Sequence, residues 1–534
     1  MKKYTLLLLL SILSFQSCKE EKLDVEPVGE FLSSNFFITE DQVFSALIAS
    51  YDPLAWSMAY GQWISYVMFA EIRSDNANAG GDKTNTDQPG WQELDDFRET
   101  NSNVVLQPLY RRNYIGIFRA NTVLENARVE SGLVDQYKAE AKFLRAYYHF
   151  ELFRHFGPIP VVTELLAPDE VTMERNTVSE VFEAITTDLE EAIPLLPTTV
   201  SAGDEGRVTK GAALAFLGKA YLYWADLLND DQAKFDLAAD ALQQVIDLGV
   251  YELEEDLQTI FNLNVRNTKE SVFEIQHTNL WSSDWGWFEG IDGNGVIQLC
   301  GVRGLCADHP DYIDGWGFML PTQSLYDHYL SDDTYRRDVA MTDEAELAAE
   351  VSAAGNSCST VVDQAEQNPA DYTGFWQEKF ANYKGYEGNN VNGGDPFLTK
   401  AHNTFPMRYA NVLLMLAEAN IRGTGGEGAA MPFIDEVRER AAGPDATTFR
   451  SASQVMTDEG WSALDLIWYE RRAEFAMEGD RWFDLVRSGR LEASLFDADR
   501  AANFSDDKMW LPISLDETTV AKELTTQPDA SLFQ

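Results

Sequence analysis

The sequence predicts a mostly α-helical protein, a tetratricopeptide-like helical-repeat scaffold that carries long loops and a few short strands. Three observations predict it. From about Thr39 to Tyr251, apolar residues recur at three- and four-residue steps, the period of a helix with one buried face. These stretches are stopped by Gly and Pro and fall into pairs of roughly tetratricopeptide length, so that stacked pairs bury one another's faces. After Phe261 the periodicity gives way to a strand-like alternation and then to a Gly-, Asp- and Trp-rich stretch, before helices return towards the C-terminus.

At the N-terminus, Lys2 and Lys3 precede an apolar run from Tyr4 to Phe15, the layout of a secretory signal. The run falls short of the roughly 20 residues that span a bilayer as a helix. Ser17 stands directly before Cys18, so cleavage there would leave Cys18 as the new N-terminus, as in a bacterial lipobox, although Phe15 occupies the position where that pattern prefers Leu. Acyl chains on Cys18 would make a lasting membrane anchor. The expected organisation is a signal peptide over 1–17, a lipidated tether over 18–38, an N-terminal helical region over 39–260, and a C-terminal region over 261–534 with ligand-binding loops and framework helices.

Within the first helical region, Ala141, Leu144, Tyr148 and Leu152 stripe a helix that Gly157-Pro158 stops. Thr177 and Glu180 form a capping box ahead of Val181, Phe182, Ile185 and Leu189, and Pro194 ends that element. Ala213, Phe216, Leu217, Ala220 and Trp224 stripe the next, and a further helix from Phe235 to Leu248 ends at Gly249. In the second half Val272 to Gln276 alternates as a strand, Asn279 to Thr322 reads as long loops, and helices are expected at Phe405–Ile421, Met431–Arg440 and Ala463–Gly479.

Charge and cysteine usage narrow the function. The formal charge of −46 becomes −48 when Lys2 and Lys3 leave with the signal, a balance that repels nucleic acid and argues against sulfated or uronic-acid-rich ligands. Beyond Cys18 only Cys300, Cys306 and Cys358 remain, too few for a disulfide-built scaffold. The glycines of CGVRGLC would let Cys300 and Cys306 close a bridge, with Cys358 left without an obvious mate. The six histidines have no metal-ligand spacing, and no hydrolase elbow, phosphate loop or dinucleotide fingerprint appears, so no cofactor is expected. Asp292 and Asn294 in IDGNG hint at calcium, but the remaining ligands of a calcium loop are missing and a tight turn is the better reading. Glu470, Glu474 and Glu478, at i, i+4 and i+8, would stack three carboxylates on one helical face. Arg471, Arg472, Arg481 and Arg487 lie close by, which favours framework ion pairs over acid–base catalysis.

Six segments in order resemble the SusD/RagB family of outer-membrane nutrient-binding lipoproteins: AEAKFLRAYYHFELFRHFGPIPVV (Ala139–Val162), TDLEEAIPLLP (Thr187–Pro197), GRVTKGAALAFLGKAYLY (Gly206–Tyr223), MRYANVLLMLAEA with VRERAAG (Met407–Gly443), ERRAEFAMEGDRWFDLVRSGR (Glu470–Arg490) and LPI (Leu511–Ile513). They span nearly the whole mature chain, and the departure is the tail after Ile513, where the family commonly carries an Asn- and Pro-containing ending. The resemblance implies a protein that is not an enzyme. It would sit at the outer face of the outer membrane over a SusC-like TonB-dependent transporter and hand it a captured glycan or, in the RagB branch, a peptide. The start Cys18-Lys19-Glu20-Glu21 looks like the signal for surface export of such lipoproteins. A helical glycoside hydrolase is the alternative from another class.

The candidate ligand residues follow from the chemistry of sugars, whose C–H faces are covered by flat aromatic rings while nearby Asp and Asn groups meet the hydroxyls. Trp281, Trp285 and Trp287 in WSSDWGWFEG, with Trp316 further along the loops, are the leading candidates, against the plainer reading that they pin loops to the core. Asp75, Asn76, Asn78 and Trp91, in the polar stretch Glu71–Trp91, are secondary ones, because this stretch resembles a site-forming loop of the family. Trp224, Trp468 and Trp482, set in helices, read as core.

Overall fold

The computed structural model describes residues 36–82, 87–167, 173–228, 231–262, 264–280, 290–291, 293–363, 371–386 and 395–534. Its framework is a row of helices, each packed on the next: Glu40–Ala55, Leu106–Asn126, Gly132–Phe156, Val178–Ala192, Lys210–Leu227 and Gln232–Asp247. The row continues across the chain's midpoint, because Tyr409–Arg422 packs on Gln232–Asp247 and Glu427–Ala441 packs on it in turn. This is the tetratricopeptide-like wall that the periodicity predicts.

Local sequence explains the ends of these helices. Thr177 accepts from the Glu180 amide and the Glu180 side chain accepts from the Thr177 amide, a complete capping box. Gly157, at φ +67°, turns the chain out of the helix Gly132–Phe156. Close packing needs Gly116 where two helices meet: a Cβ there would stand 2.2 Å from the ring of Tyr148.

Three expectations are corrected. Phe405 does not begin a helix: Thr404–Arg408 is a strand antiparallel to Ser271–Ile275, and the helix starts at Tyr409. Pro406 explains this, since it biases Phe405 to extended backbone and cannot donate within a helix. The helix from Ala463 stops at Phe475, and Arg481–Arg487 is a separate element. Between them Gly479 takes φ +97° and donates its amide to buried Glu71 at 2.8 Å, while a Cβ on it would meet the Val67 Cα at 2.9 Å. Lastly, the disulfide joins Cys306 to Cys358, and Cys300 remains a buried thiol at the end of the short helix Val296–Cys300. The chain after Cys300 pairs instead with residues near Cys358, through a bridge between Leu305 and Val362.

The region read as loops, Asn279–Thr322, and the stretch after it contain regular pieces. Phe318–Pro321 pairs antiparallel with Ala77–Gly80, and Met341–Asp343 with Phe375–Gln377. Residues from Val302 to Trp376 enclose a small apolar cluster of their own, including Leu305, Leu347, Val351, Val362 and Trp376, separate from the main core.

Candidate functional site

The acidic ladder of the C-terminal signature is closed off from solvent. Glu470 is paired with Arg336 at 2.8 Å and with Arg438; Glu474 with Arg408 at 3.0 Å and Arg440 at 2.5 Å; Glu478 with Lys379 at 2.6 Å and Arg408 at 2.7 Å. Burial alone would raise the Glu474 carboxyl, but the charges of Arg440, Arg408 and Arg336 outweigh it and bring it down to about 2. A general acid needs a proton near neutral pH. Glu474 is held ionised and all three carboxylates are buried against cations, so the ladder is framework.

The secondary candidates also lie inside. Trp91 is fully enclosed, its ring 4.5 Å from that of Phe69. Asp75 is buried beneath the signature helices, held by Arg481 at 2.7 and 2.9 Å and by Arg472 at 3.1 Å. Burial would raise its carboxyl, yet Arg481 and Arg472 keep it well below the usual range. Asn76 donates to Glu71 at 2.8 Å and accepts from Arg472 at 2.9 Å. Asn78 is half-buried in the strand opposite Leu320, with Arg500 at 3.5 Å. Trp91, Asp75 and Asn76 are thus corrected from ligand contacts to braces. Asp75 and Asn76 satisfy buried arginines and Glu71, and Trp91 packs on Phe69. Asn294, in the proposed calcium motif, accepts from the Val296 amide and donates to the His402 carbonyl, the bonding of a turn; Asp292 lies outside the described residues.

Trp316 differs from these. It is half-buried, edge-on to Trp63 (ring centroids 6.0 Å, 69°) and to Phe397 (5.6 Å, 64°), and Phe397 is 39 % exposed. Arg303 is tied to the Trp316 backbone, donating to its carbonyl at 3.4 Å and to Asp87 at 3.1 Å. Trp281, Trp285 and Trp287 lie outside the described residues. A Cβ on Gly290 would fall 1.8 Å from the Trp56 ring, and one on Gly295 would fall 2.1 Å from Trp63. Backbone is therefore laid flat against Trp56 and against Trp63, which ends the short hairpin of Met58–Ala59 and Gln62–Trp63 and also supports Trp316. Phe397, Trp63 and the Arg303–Asp87 pair were not singled out from the sequence. Phe397 carried the same cue as the chosen tryptophans, an aromatic ring in a Gly- and Asn-rich stretch.

A separate apolar concavity of about 350 Å³ is lined by Tyr60, Tyr110, Tyr114 and Phe118, with the Arg111–Glu517 ion pair beside it. Tyr114 spends its hydroxyl on the Pro160 carbonyl at 2.7 Å, so mainly ring faces are presented there.

A stiff helical wall with a charge-paired interior, and half-exposed rings supported by a loop-built surface, is the construction of a binding protein. Comparison with known proteins places it further. Residues 32–222 match the family model described as starch-binding associating with outer membrane, and residues 269–528 match that of the SusD family. The chain belongs to the SusD/RagB family. It is 27 % identical to the SusD-like protein P2 of Formosa agariphila over 91 % of each chain, and 24 % identical to a SusD-like protein of Bacteroides ovatus over 91 % of this chain and 82 % of that one. Among solved structures it is similar to a laminarin binding SusD-like protein (28 % identity, TM-score 0.74, 91 % of this chain and 99 % of that one). It is also similar to surface glycan-binding protein A from Bacteroides thetaiotaomicron in complex with laminarihexaose (26 % identity, TM-score 0.77, 90 % and 98 %). The family is non-catalytic, in keeping with the buried, cation-paired carboxylate ladder.

Proposed function

We propose that this protein is a cell-surface lipoprotein that captures a neutral glycan on the rings around Trp316 and delivers it to a SusC-like TonB-dependent transporter. The observation that carries the reading is the half-exposed pair Trp316–Phe397, buttressed by Trp63, with a polar pair, Arg303 and Asp87, bonded to the Trp316 backbone. Rings cover sugar C–H faces and the polar pair meets hydroxyls, so binding needs no ligand charge. Trp281, Trp285 and Trp287 are assigned to the same ligand surface in this reading from the sequence alone, as rings in a Gly- and Asp-containing stretch. Similarity to two laminarin- or laminarihexaose-binding proteins makes a β-glucan the first ligand to try.

Lipidation of Cys18 tethers the protein to the outer membrane in this reading, with its helical wall towards the transporter. Phe118 and Val520, 61 % and 65 % exposed beside the apolar concavity, supply surface that such a partner would cover. Calorimetry of the purified protein against laminarihexaose and a panel of neutral and sulfated glycans tests the ligand class. Saturable binding to a neutral glycan, lost in Trp316→Ala, is expected; no binding to any neutral glycan rejects it. Mass spectrometry of the N-terminal peptide from membrane-extracted protein should find acylated Cys18, and Cys18→Ala should release the protein from the membrane.

A further inference from the structure

We propose that the Cys306–Cys358 disulfide is a positioning element for the glycan platform, so that reducing it weakens glycan binding while the helical wall stays folded. This rests on the reading of Trp316 as a ligand residue.

Trp316 is held by a short ladder of backbone bonds: its own amide donates to Gln298 at 3.0 Å, Gly315 donates to Val302 at 2.8 Å, and Gly317 donates to Gly301 at 2.9 Å. The two strands of this ladder touch at Gly315 and Gly301, where a Cβ on Gly315 would stand 2.3 Å from the Gly301 Cα. There is no slack in that contact, so Trp316 moves with residues 301–305. The next residues of the same segment face the other way, onto 361–363. The Cys306 amide donates to the Val361 carbonyl at 2.9 Å and the Asp363 amide to the Gly304 carbonyl at 2.8 Å, while the Leu305 amide, donating to the Asp314 carboxylate at 2.9 Å, ties the segment back to the Trp316 strand.

Residues 361–363 are held by these backbone bonds, by the packing of Val361 and Val362, and by the nearby disulfide. The cluster enclosed by this region is small and separate from the main core, and small cores depend on staples. The disulfide closes a 52-residue separation and lies directly against this hydrogen-bonded layer. Both cysteines are only partly buried, so a dithiol can reach them. With dithiothreitol the S–S bond breaks, two electrons and two protons pass to the two Sγ atoms, and the reagent becomes its cyclic disulfide. The layer of 361–363 is then free to part from 304–306, and Trp316 is correctly placed only a fraction of the time. Apparent affinity falls by that fraction, about 3- to 10-fold if a third to a tenth of the molecules remain competent.

The test uses the full-length protein with laminarihexaose, or whichever neutral glycan the panel above selects. Affinity is measured for the oxidised protein, for protein reduced with dithiothreitol, and for Cys306→Ser/Cys358→Ser. Far-ultraviolet circular dichroism monitors the wall, and hydrogen exchange monitors amides 301–317. The expected result is unchanged helix content, faster exchange over 301–317, and the 3- to 10-fold loss. Linkage requires the converse as well: saturating glycan should slow exchange in the reduced protein and lower the reduction potential of the cysteine pair by about 14 to 30 mV, the same factor for a two-electron couple. A disulfide that merely stabilises the fold would leave that potential indifferent to glycan. Should the double variant fail to fold, the glycan-dependent potential of the wild type decides. Equal affinity in both redox states, or a potential that glycan does not move, overturns the proposal. If the oxidised wild type and Trp316→Ala bind alike, the ligand surface has been misassigned, and that failure is separate.

Discussion

Arg408→Met probes the interior on which the wall and loops are mounted. Arg408 is 1 % exposed at its side chain and touches Glu270, Glu474 and Glu478. Around it five carboxylates, Glu270, Asp333, Glu470, Glu474 and Glu478, face five cations, Arg336, Lys379, Arg408, Arg438 and Arg440. The substitution leaves five anions against four cations out of reach of water. Breaking one partner of a buried pair costs about 3–5 kcal/mol, a large share of the roughly 5–15 kcal/mol that holds a folded protein together.

The pH dependence sharpens this prediction. In the wild type, Glu474 titrates at about 2 against an ordinary value of 4.5. Its depressed folded-state value means that its contribution, about 3 kcal/mol, is complete above about pH 4.5 and is lost as pH falls towards 2. Asp75 is depressed in the same direction and adds to the loss on acidification. In Arg408→Met one carboxylate is left in excess, so it should take up a proton well above the ordinary carboxylate range. The deficit relative to wild type should therefore shrink as pH falls from about 7 to about 5. Urea unfolding followed by circular dichroism across that range measures it. Adding Glu478→Gln should recover part of the stability by restoring four against four. A variant as stable as wild type at pH 7, or a deficit that widens on acidification, would refute the reasoning.

Trp285→Ala and Trp287→Ala should each weaken glycan binding by about 1–3 kcal/mol and leave the melting curve unchanged, read by calorimetry and by thermal unfolding. Trp91→Ala should do the reverse: about 3–5 kcal/mol lost in urea unfolding, because an enclosed ring packed on Phe69 is removed, with affinity per folded molecule intact. Gly116→Ala should destabilise by about 1–3 kcal/mol despite alanine's better helix propensity, since the new methyl meets Tyr148, whose hydroxyl is anchored to the Ser50 carbonyl. In the same measurement Gly132→Ala, with nothing within 4 Å, should show no such loss.

How far the chain could be read in advance depended on the range of the interaction responsible. The helix Val178–Ala192, its capping box and its end before Pro194 were legible because each is decided within a few residues. The strand at Ser271–Ile275 was visible in its alternation, but its partner was mistaken for a helix, because MRYANVLLM is helical in pattern and only Pro406 marks the extended start. The polar stretch at Asp75 and Asn76 looked like surface. Its partners, Arg472 and Arg481, come from 396 and 406 residues further along, and no local feature announces them.

The sequence by itself determined the helical-repeat class, the family and the framework role of the Glu470 ladder, since periodicity, ordered motifs and clustered opposite charges are all written along the chain. Tertiary structure alone decided which polar residues are braces, which cysteines are joined, and that Trp316 meets Trp63 and Phe397. The physical reason is that burial and pairing are set by what packs against a residue from distant parts of the chain. An aspartate or a tryptophan in a polar stretch looks the same on paper whether folding leaves it in water or closes a core around it.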